Sequence, residues 1–166
     1  ASRAAEALVM KGDKQRAVEL MDLVTKEIPV QKYNNPRSLS AVVYSYILAG
    51  QEQKGLQLAE ALKKGIFEEY DYYTSLSPED QRFAGKQMRT KPLEFSMVVQ
   101  AVTNAYDKLG QKNKSYDYLV KSLGPLDKRY NTFIKDLEAM GKEKAYKEAD
   151  KIQNIVPFYH YIFDVM

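Results

Sequence analysis

Apolar residues along this 166-residue chain recur at helical spacing almost throughout. Ala17, Leu20, Met21, Val24 and Ile28 fall at i, i+3, i+4, i+7 and i+11, one face of an α-helix that Pro29 closes. Val98, Ala101, Val102, Ala105 and Leu109 repeat that spacing. So do Ile152, Ile155, Val156, Tyr159 and Phe163, where Pro157 predicts a kink or a fresh helix. No sustained period-two alternation bounded by hairpin turns is present, so strands are not expected. The pattern predicts helices near 3–11, 13–28, 37–49, 52–73, 78–88, 92–109, 112–123, 126–140 and 142–164. Ser77-Pro78-Glu79-Asp80 is a strong helix start, with a serine cap, proline at the first position and acids in the first turn. Gly124-Pro125 reads as an equally clear stop.

The helices are punctuated in a repeating way. An apolar run ends at a glycine, and five residues later a small residue opens the next run. Gly12 and Ala17, Gly50 and Gly55, and Gly110 and Ser115 make three copies; Gly141 begins a looser fourth. The glycines stand 38, 60 and 31 residues apart, against about 34 in an ideal tetratricopeptide array. The long middle interval predicts an irregular insertion near 66–91, containing Glu68-Glu69-Tyr70-Asp71-Tyr72-Tyr73 and the short helix after Ser77. Insertions in helical repeats fall in loops on one face, often the binding face. Gln31 to Pro36 reads as a loop between repeats, and no low-complexity linker divides the chain, so 1–166 is expected to be one domain.

These residues resemble tetratricopeptide repeats, whose motif wants the glycine, a small residue five on, a large apolar residue four after that, and a proline near the end. Gly12, Ala17, Met21 and Pro29 meet all four; Gly110, Ser115 and Leu119 meet three, with Pro125 slightly early; Gly50 and Gly55 meet two, with Ala59 small where a large residue belongs. The resemblance implies an all-α fold, a short right-handed α-solenoid of about eight or nine helices in hairpins. Ile152 to Phe163 would then cap the open end. A second resemblance lies in the order of segments: a repeat ending in proline, Tyr44-Ser45-Tyr46-Ile47-Leu48-Ala49-Gly50, the Tyr72-Tyr73-Thr74-Ser75-Leu76 segment, then Pro78, Arg82 and Phe83, and a helix closing on Ala105 to Gly110. That order is similar to the soluble C-terminal region of a bacterial family of polytopic membrane proteins whose membrane part resembles protein O-mannosyltransferases. It implies a domain on the extracytoplasmic, periplasmic side of a membrane, attached to a glycosyltransferase-like part. The catalytic acids of such families belong to the membrane part, so the resemblance places no active-site residue in this chain.

Composition narrows the chemistry. There are no cysteines, which excludes disulfides, thiolate zinc sites and cysteine nucleophiles. The net charge of +3, without a clustered basic face, argues against nucleic acid as a partner. No apolar stretch approaches the roughly 20 residues of a membrane span. The chain lacks a signal peptide and an initiator methionine, and reads as a piece of something longer or a mature product. His160 is the only histidine; among Phe158, Tyr159, Tyr161 and Ile162 it reads as a core or edge residue, since a metal site needs several ligands and a base needs an orienting partner. Glu68, Glu69 and Asp71 could hold a hard cation, but without EF-hand spacing they read as a solvated helix end. No G-x-S-x-G elbow and no phosphate-binding glycine loop is present. No catalytic residue, cofactor or metal is therefore expected.

Tyrosine is the outlier, with thirteen and no tryptophan. It offers contact area plus a hydroxyl, which suits peptide or sugar recognition, although most such residues pack between helices. Tyr44, Tyr70, Tyr72 and Tyr73, with Arg82 and Arg89 from the basic run Arg82, Lys86, Arg89 and Lys91, are the candidate interaction surface. The basic run could face anionic lipid headgroups if the parent lies on a membrane, though an ordinary solvated face is the plainer reading. The resulting expectation is a non-catalytic accessory domain binding a protein or peptide, including the membrane part of its own parent. A free-standing adaptor and a carbohydrate-binding domain are the alternatives.

Overall fold

A computed structural model describes residues 2–30, 35–147 and 158–160. It is all-helical, with no strand among the described residues. The helices are α1 (Ser2–Met10), α2 (Lys14–Glu27), α3 (Pro36–Leu48), α4 (Glu52–Ser75), α5 (Pro78–Lys108), α6 (Lys112–Met140) and α7 (Lys142–Lys147), and residues 158–160 add a helical turn.

The repeated glycines make the corners. Gly12, Gly50 and Gly110 have φ of 84°, 86° and 73°, the left-handed region that costs an L-residue with a Cβ about 1–2 kcal/mol. Each glycine N–H reaches back three residues, to Val9, Ile47 or Asp107, at 3.0 Å. The next N–H reaches back five, to Leu8, Tyr46 or Tyr106, at 2.8–2.9 Å. This paired closure is the Schellman motif, and it satisfies carbonyls that a helix end leaves orphaned. Three hairpins result: α1–α2, α3–α4 and α5–α6. Gly141, the looser copy, differs. Its φ of 76° is combined with ψ of 160°, an extended glycine cap that sends the chain into α7 by another geometry.

The small residue five positions on sits where paired helices touch. A Cβ on Gly55 would lie 2.7 Å from Ile47 Cγ1 and 3.1 Å from the Val43 carbonyl oxygen. In the third hairpin Ser115 Oγ donates to the Thr103 carbonyl at 3.3 Å, the acceptor seven residues before its glycine, just as Val43 stands before Gly50. Ala17 is fully buried. Beyond each hairpin, α1 packs on α3 and α3 on α5, while α2 contacts α3 and α4 contacts α5. The core threads these contacts through Leu39, Val42, Val43, Ile47, Leu62, Ile66, Val98, Val99 and Val102.

The segmentation differs from the sequence reading at two prolines. The helices expected at 78–88 and 92–109 are one 31-residue helix with Pro92 inside it. Those expected at 112–123 and 126–140 are one 29-residue helix, so Gly124-Pro125 is no stop. An interior proline costs a hydrogen bond and about 3 kcal/mol, and anchoring on both sides offsets it. Met88 and Phe95 are buried around Pro92, and Lys91 bonds Glu69 of α4. Around Pro125, Ser122 accepts from Lys63 at 3.1 Å and Arg129 pairs with Asp71, both across to α4. The expected insertion near 66–91 is therefore extra helix length, the far end of α4 and the near end of α5. The start at Ser77 is as expected: its Oγ accepts from the Asp80 N–H at 3.2 Å, ahead of Pro78. Gln81 Nε2 ties down the intervening turn, donating to the carbonyls of Thr74 and Leu76 at 3.0 Å each. The extended half surrounds an aromatic cluster. Phe67 lies 5.4 Å from Phe95, Tyr70 is 4.2 Å from Phe158, and Tyr159 is 5.3 Å from Tyr130. Residues 158–160 thus return onto α4 and α6; the rest of the expected 142–164 helix beyond Lys147, and most of the Gln31–Pro36 loop, lie outside the described residues.

The glycines separate backbone strain from crowding. Gly50→Ala should cost about 1–2 kcal/mol through conformation alone, since nothing lies within 4 Å of its added Cβ. Gly55→Ala gains helix propensity but overpacks Ile47 and should lose about 1–2 kcal/mol net. Gly85→Ala, inside α5 with open space at its Cβ, should instead gain up to about 1 kcal/mol. Denaturant midpoints at unchanged m-value measure all three.

Candidate functional site

The junctions between hairpins share a polar clamp. At the first, Tyr46 Oη donates to Asp22 Oδ1 at 2.7 Å, and Lys54 Nζ donates to both Asp22 oxygens at 2.8 Å. At the second, Tyr106 Oη donates to Glu52 Oε1 at 2.7 Å, and Lys114 Nζ reaches both Glu52 oxygens at 2.9 and 2.8 Å. In each case the tyrosine lies four residues before a corner glycine and the lysine four after it, so a hairpin grips one carboxylate of the hairpin before it. Burial works against the Asp22 carboxylate, but the bonds from Lys54 and Tyr46 win and hold it below the usual carboxylate range. Lys114 and then Tyr106 do the same for Glu52. Burial, with Asp22 alongside, pushes the Tyr46 phenol up to about 12.

A polar seam continues along α4 and α6. Lys63 is mostly buried, 2.8 Å from Glu60 Oε1, 3.1 Å from Ser122 Oγ and 4.7 Å above the Tyr118 ring. Desolvation draws its ammonium below the ordinary lysine value against the pull of Glu60. Lys91, by contrast, bonds Glu69 and Glu94; burial alone would depress it, but the two carboxylates hold it above the usual value. The acids Glu68, Glu69 and Asp71, read from the sequence as a solvated helix end, are dispersed among separate cations. Glu68 faces Lys64 at 3.6 Å, Glu69 takes Lys91, and Asp71 takes Arg129. No metal-holding group of acids and histidines exists among the described residues.

The candidate surface residues separate by environment. Tyr70 is only 3% exposed and stacks in the aromatic cluster, so it faces the core and presents nothing to a partner. Its hydroxyl has no hydrogen-bond partner among the described residues, and burial raises its pKa. Tyr44 and Tyr73 are half-buried against the core. Tyr72 is 61% exposed with its ring 5.6 Å from Tyr73. Arg82 and Arg89 are exposed along α5 with Lys86, beside Phe83 at 82% exposure. His160 is exposed.

Two of the concavities among the described residues lie at hairpin faces. One, of about 340 Å³, adjoins the first clamp and is lined by Asp22, Thr25, Tyr46, Lys54 and Leu58 among others. The larger, about 590 Å³, is an open groove between α5 and α6, lined by Gln100, Thr103, Asp107, Lys112, Ser115, Tyr116 and Leu119. Tyr116, 67% exposed, stands on its rim. Sequence reading did not mark this groove. The signal that would have pointed to it is the repeat register, because Ser115 and Leu119 of its lining are motif positions. Neither family models, nor curated proteins, nor solved structures give a match to this chain.

The clamps set a pH window. Lowered Asp22 and Glu52 contribute stability that is complete above the ordinary carboxylate pKa of about 4 and is lost as pH falls through their folded values. Raised Tyr46 contributes below about pH 10 and loses that contribution as pH rises through 12. Unfolding free energy should therefore fall at both extremes, with the acid limb shallower in Asp22→Asn and the alkaline limb shallower in Tyr46→Phe. Tyr46→Phe should cost about 1 kcal/mol at neutral pH, and the exposed Lys54→Ala less than about 1. Denaturant titrations from pH 3 to 11 test the signs.

Proposed function

We propose that the chain is a short right-handed solenoid of helical hairpins, tetratricopeptide-like, that acts as a non-catalytic accessory and protein-interaction domain. Three things support the solenoid: the same glycine corner at each hairpin, the same close-contact position five residues later, and first helices that follow one another as α1, α3 and α5. The observation that carries the interaction role is the open groove between α5 and α6, which presents Tyr116 and Leu119 beside Thr103 and Asp107. An apolar stripe with a polar rim is the make-up of a surface for another polypeptide. Chemistry at such a face comes from shape and burial, with tyrosine supplying the anchor.

The order of segments from Pro29 to Gly110 supports a parent of the glycosyltransferase-like membrane family, with this domain as its soluble C-terminal part on the periplasmic side. There the domain would hold an acceptor polypeptide, or the membrane part itself, near the membrane active site. The open reading frame upstream of Ala1 should then encode several hydrophobic spans of about 20 residues each. The purified chain, given a lipid-linked sugar donor and an acceptor peptide, should show neither glycosyl transfer nor hydrolysis. Time-dependent turnover that survives repurification would overturn the accessory role. Tyr116→Ala should weaken capture of the parent's membrane part about 30-fold, the range of an anchor worth about 2 kcal/mol, at unchanged Tm. Unaltered capture removes the groove from the binding surface.

A further inference from the structure

The first half of α5 carries positive charge and an open aromatic ring together, on the face turned away from the core. At 3.6 residues per turn, Arg82, Phe83, Lys86, Arg89 and Leu93 fall within about a third of the helix circumference. Ala84, Met88, Lys91 and Phe95 take the opposite side and are buried. Arg82, Lys86 and Arg89 are exposed. Phe83 is 82% exposed, the highest value for a large hydrophobic among the described residues, and Leu93 is exposed at the far end of the stripe. The turn at residues 158–160 lies on the inward side: Phe158 packs on Phe67 and Tyr70, and Phe67 meets Phe95.

The carboxylates nearby are mostly engaged. Asp80, in the first turn with Glu79, accepts from Ser77 Oγ at 2.7 Å. Glu94 is buried on Lys91 at 3.0 Å. On the adjoining end of α4, Glu68, Glu69 and Asp71 are matched by Lys64, Lys91 and Arg129. Between Arg82 and Leu93 the chain has no acidic residue, so three like charges flank the phenyl ring without opposition inside the stripe.

We propose that this stripe seats the protein on an anionic lipid bilayer, with Arg82, Lys86 and Arg89 at the headgroups and Phe83 at their boundary with the acyl chains. The charges select a polyanionic surface; the ring selects one with an apolar layer beneath its charge. A phenyl standing out from the ridge of one helix is taken up by a fluid interface without a matching pocket, and basic side chains beside an inserted aromatic are the make-up of an interfacial helix. No helix among the described residues is long and apolar enough to cross a membrane, so the contact is superficial. Each basic residue near an anionic surface strengthens binding about five-fold, so the three together supply about 100-fold. That contact is reversible and screened by salt. The stripe sits toward the other end of α5 from Thr103 and Asp107 of the groove. It does not rest on the glycosyltransferase-like parent, and its failure would leave the groove's role standing.

The chain has no tryptophan, so Phe83→Trp places a single reporter in the stripe. The probes are vesicles of phosphatidylcholine with phosphatidylglycerol, and vesicles of phosphatidylcholine alone. On the anionic vesicles the reporter's emission should move to the blue by about 10 nm and become quenchable by brominated acyl chains. Tyr116→Trp, on the groove rim, should keep its aqueous spectrum. In flotation at low salt, the unmodified chain should partition at least about ten-fold more strongly to the anionic vesicles, and high salt should abolish the difference. Arg82→Gln/Lys86→Gln/Arg89→Gln should lose at least about ten-fold, whereas Lys11→Gln/Lys14→Gln/Lys26→Gln, exposed positions outside α5 with the same change in net charge, should stay within about two-fold. Circular dichroism confirms the fold of each variant. Equal partition to both vesicles, equal losses in the two triple variants, or anionic binding in which the reporter at 83 stays aqueous, the mark of a site for nucleic acid or an acidic protein, would each overturn bilayer seating.

Discussion

The architecture depends on one backbone constraint, a left-handed residue placed where two helices must also come into close contact. At Gly12, Gly50 and Gly110 the chain reverses within a paired hydrogen-bond closure. Glycine makes that conformation inexpensive, and the small residue five positions later makes the reversal productive. Without a glycine the helix end would carry strain; without the small residue the partners would splay. The case of Gly55 is the sharpest, since even a methyl group would press on both a side chain and a carbonyl of α3. Helix length, by contrast, is free to vary. The third hairpin is more than twice as long as the first while keeping the same corner.

Stacking between hairpins uses a different kind of interaction. Apolar contact between first helices is non-directional and would tolerate sliding. The two clamps supply direction, each binding one carboxylate from a phenol and an ammonium set four residues on either side of a corner. The carboxylates come from different places, Asp22 deep in α2 and Glu52 in the first turn of α4. The two junctions therefore place their carboxylates at different points along the receiving helix. The longer α4 and α5 carry the aromatic cluster around Phe67, Tyr70 and Phe158.

The helical class, the glycine corners and the Ser77 cap were legible because each rests on local chemistry. The joining of helices across Pro92 and Pro125 was not, because the energy that overrides an interior proline comes from contacts distant in sequence, such as Lys63 with Ser122 and Asp71 with Arg129. The same limit applied to the tyrosines. Density near 70–73 suggested a displayed surface, yet period and partner decide display: Tyr70 packs on the ring of Phe158, while Tyr72 two positions on is exposed. The acidic trio, read as a solvated helix end, keeps much of its exposure, and its three members pair with three separate cations. The α5–α6 groove needed both kinds of information, register from the sequence and exposure from the fold.

The composition of that groove sets it apart from the buried positions of the earlier hairpins. A repeat surface identical to the internal ones would leave valine and isoleucine open to water and associate without limit, whereas a wholly polar one would end the stack. Thr103 and Asp107 soften the α5 wall, but Leu119 and Tyr116 keep the α6 wall apolar, and Ser115 retains the small contact position. The substitutions fall on one wall only. A surface modified solely for solubility would have no reason to spare the other, and a buried junction would have no reason to admit an aspartate three residues before the corner.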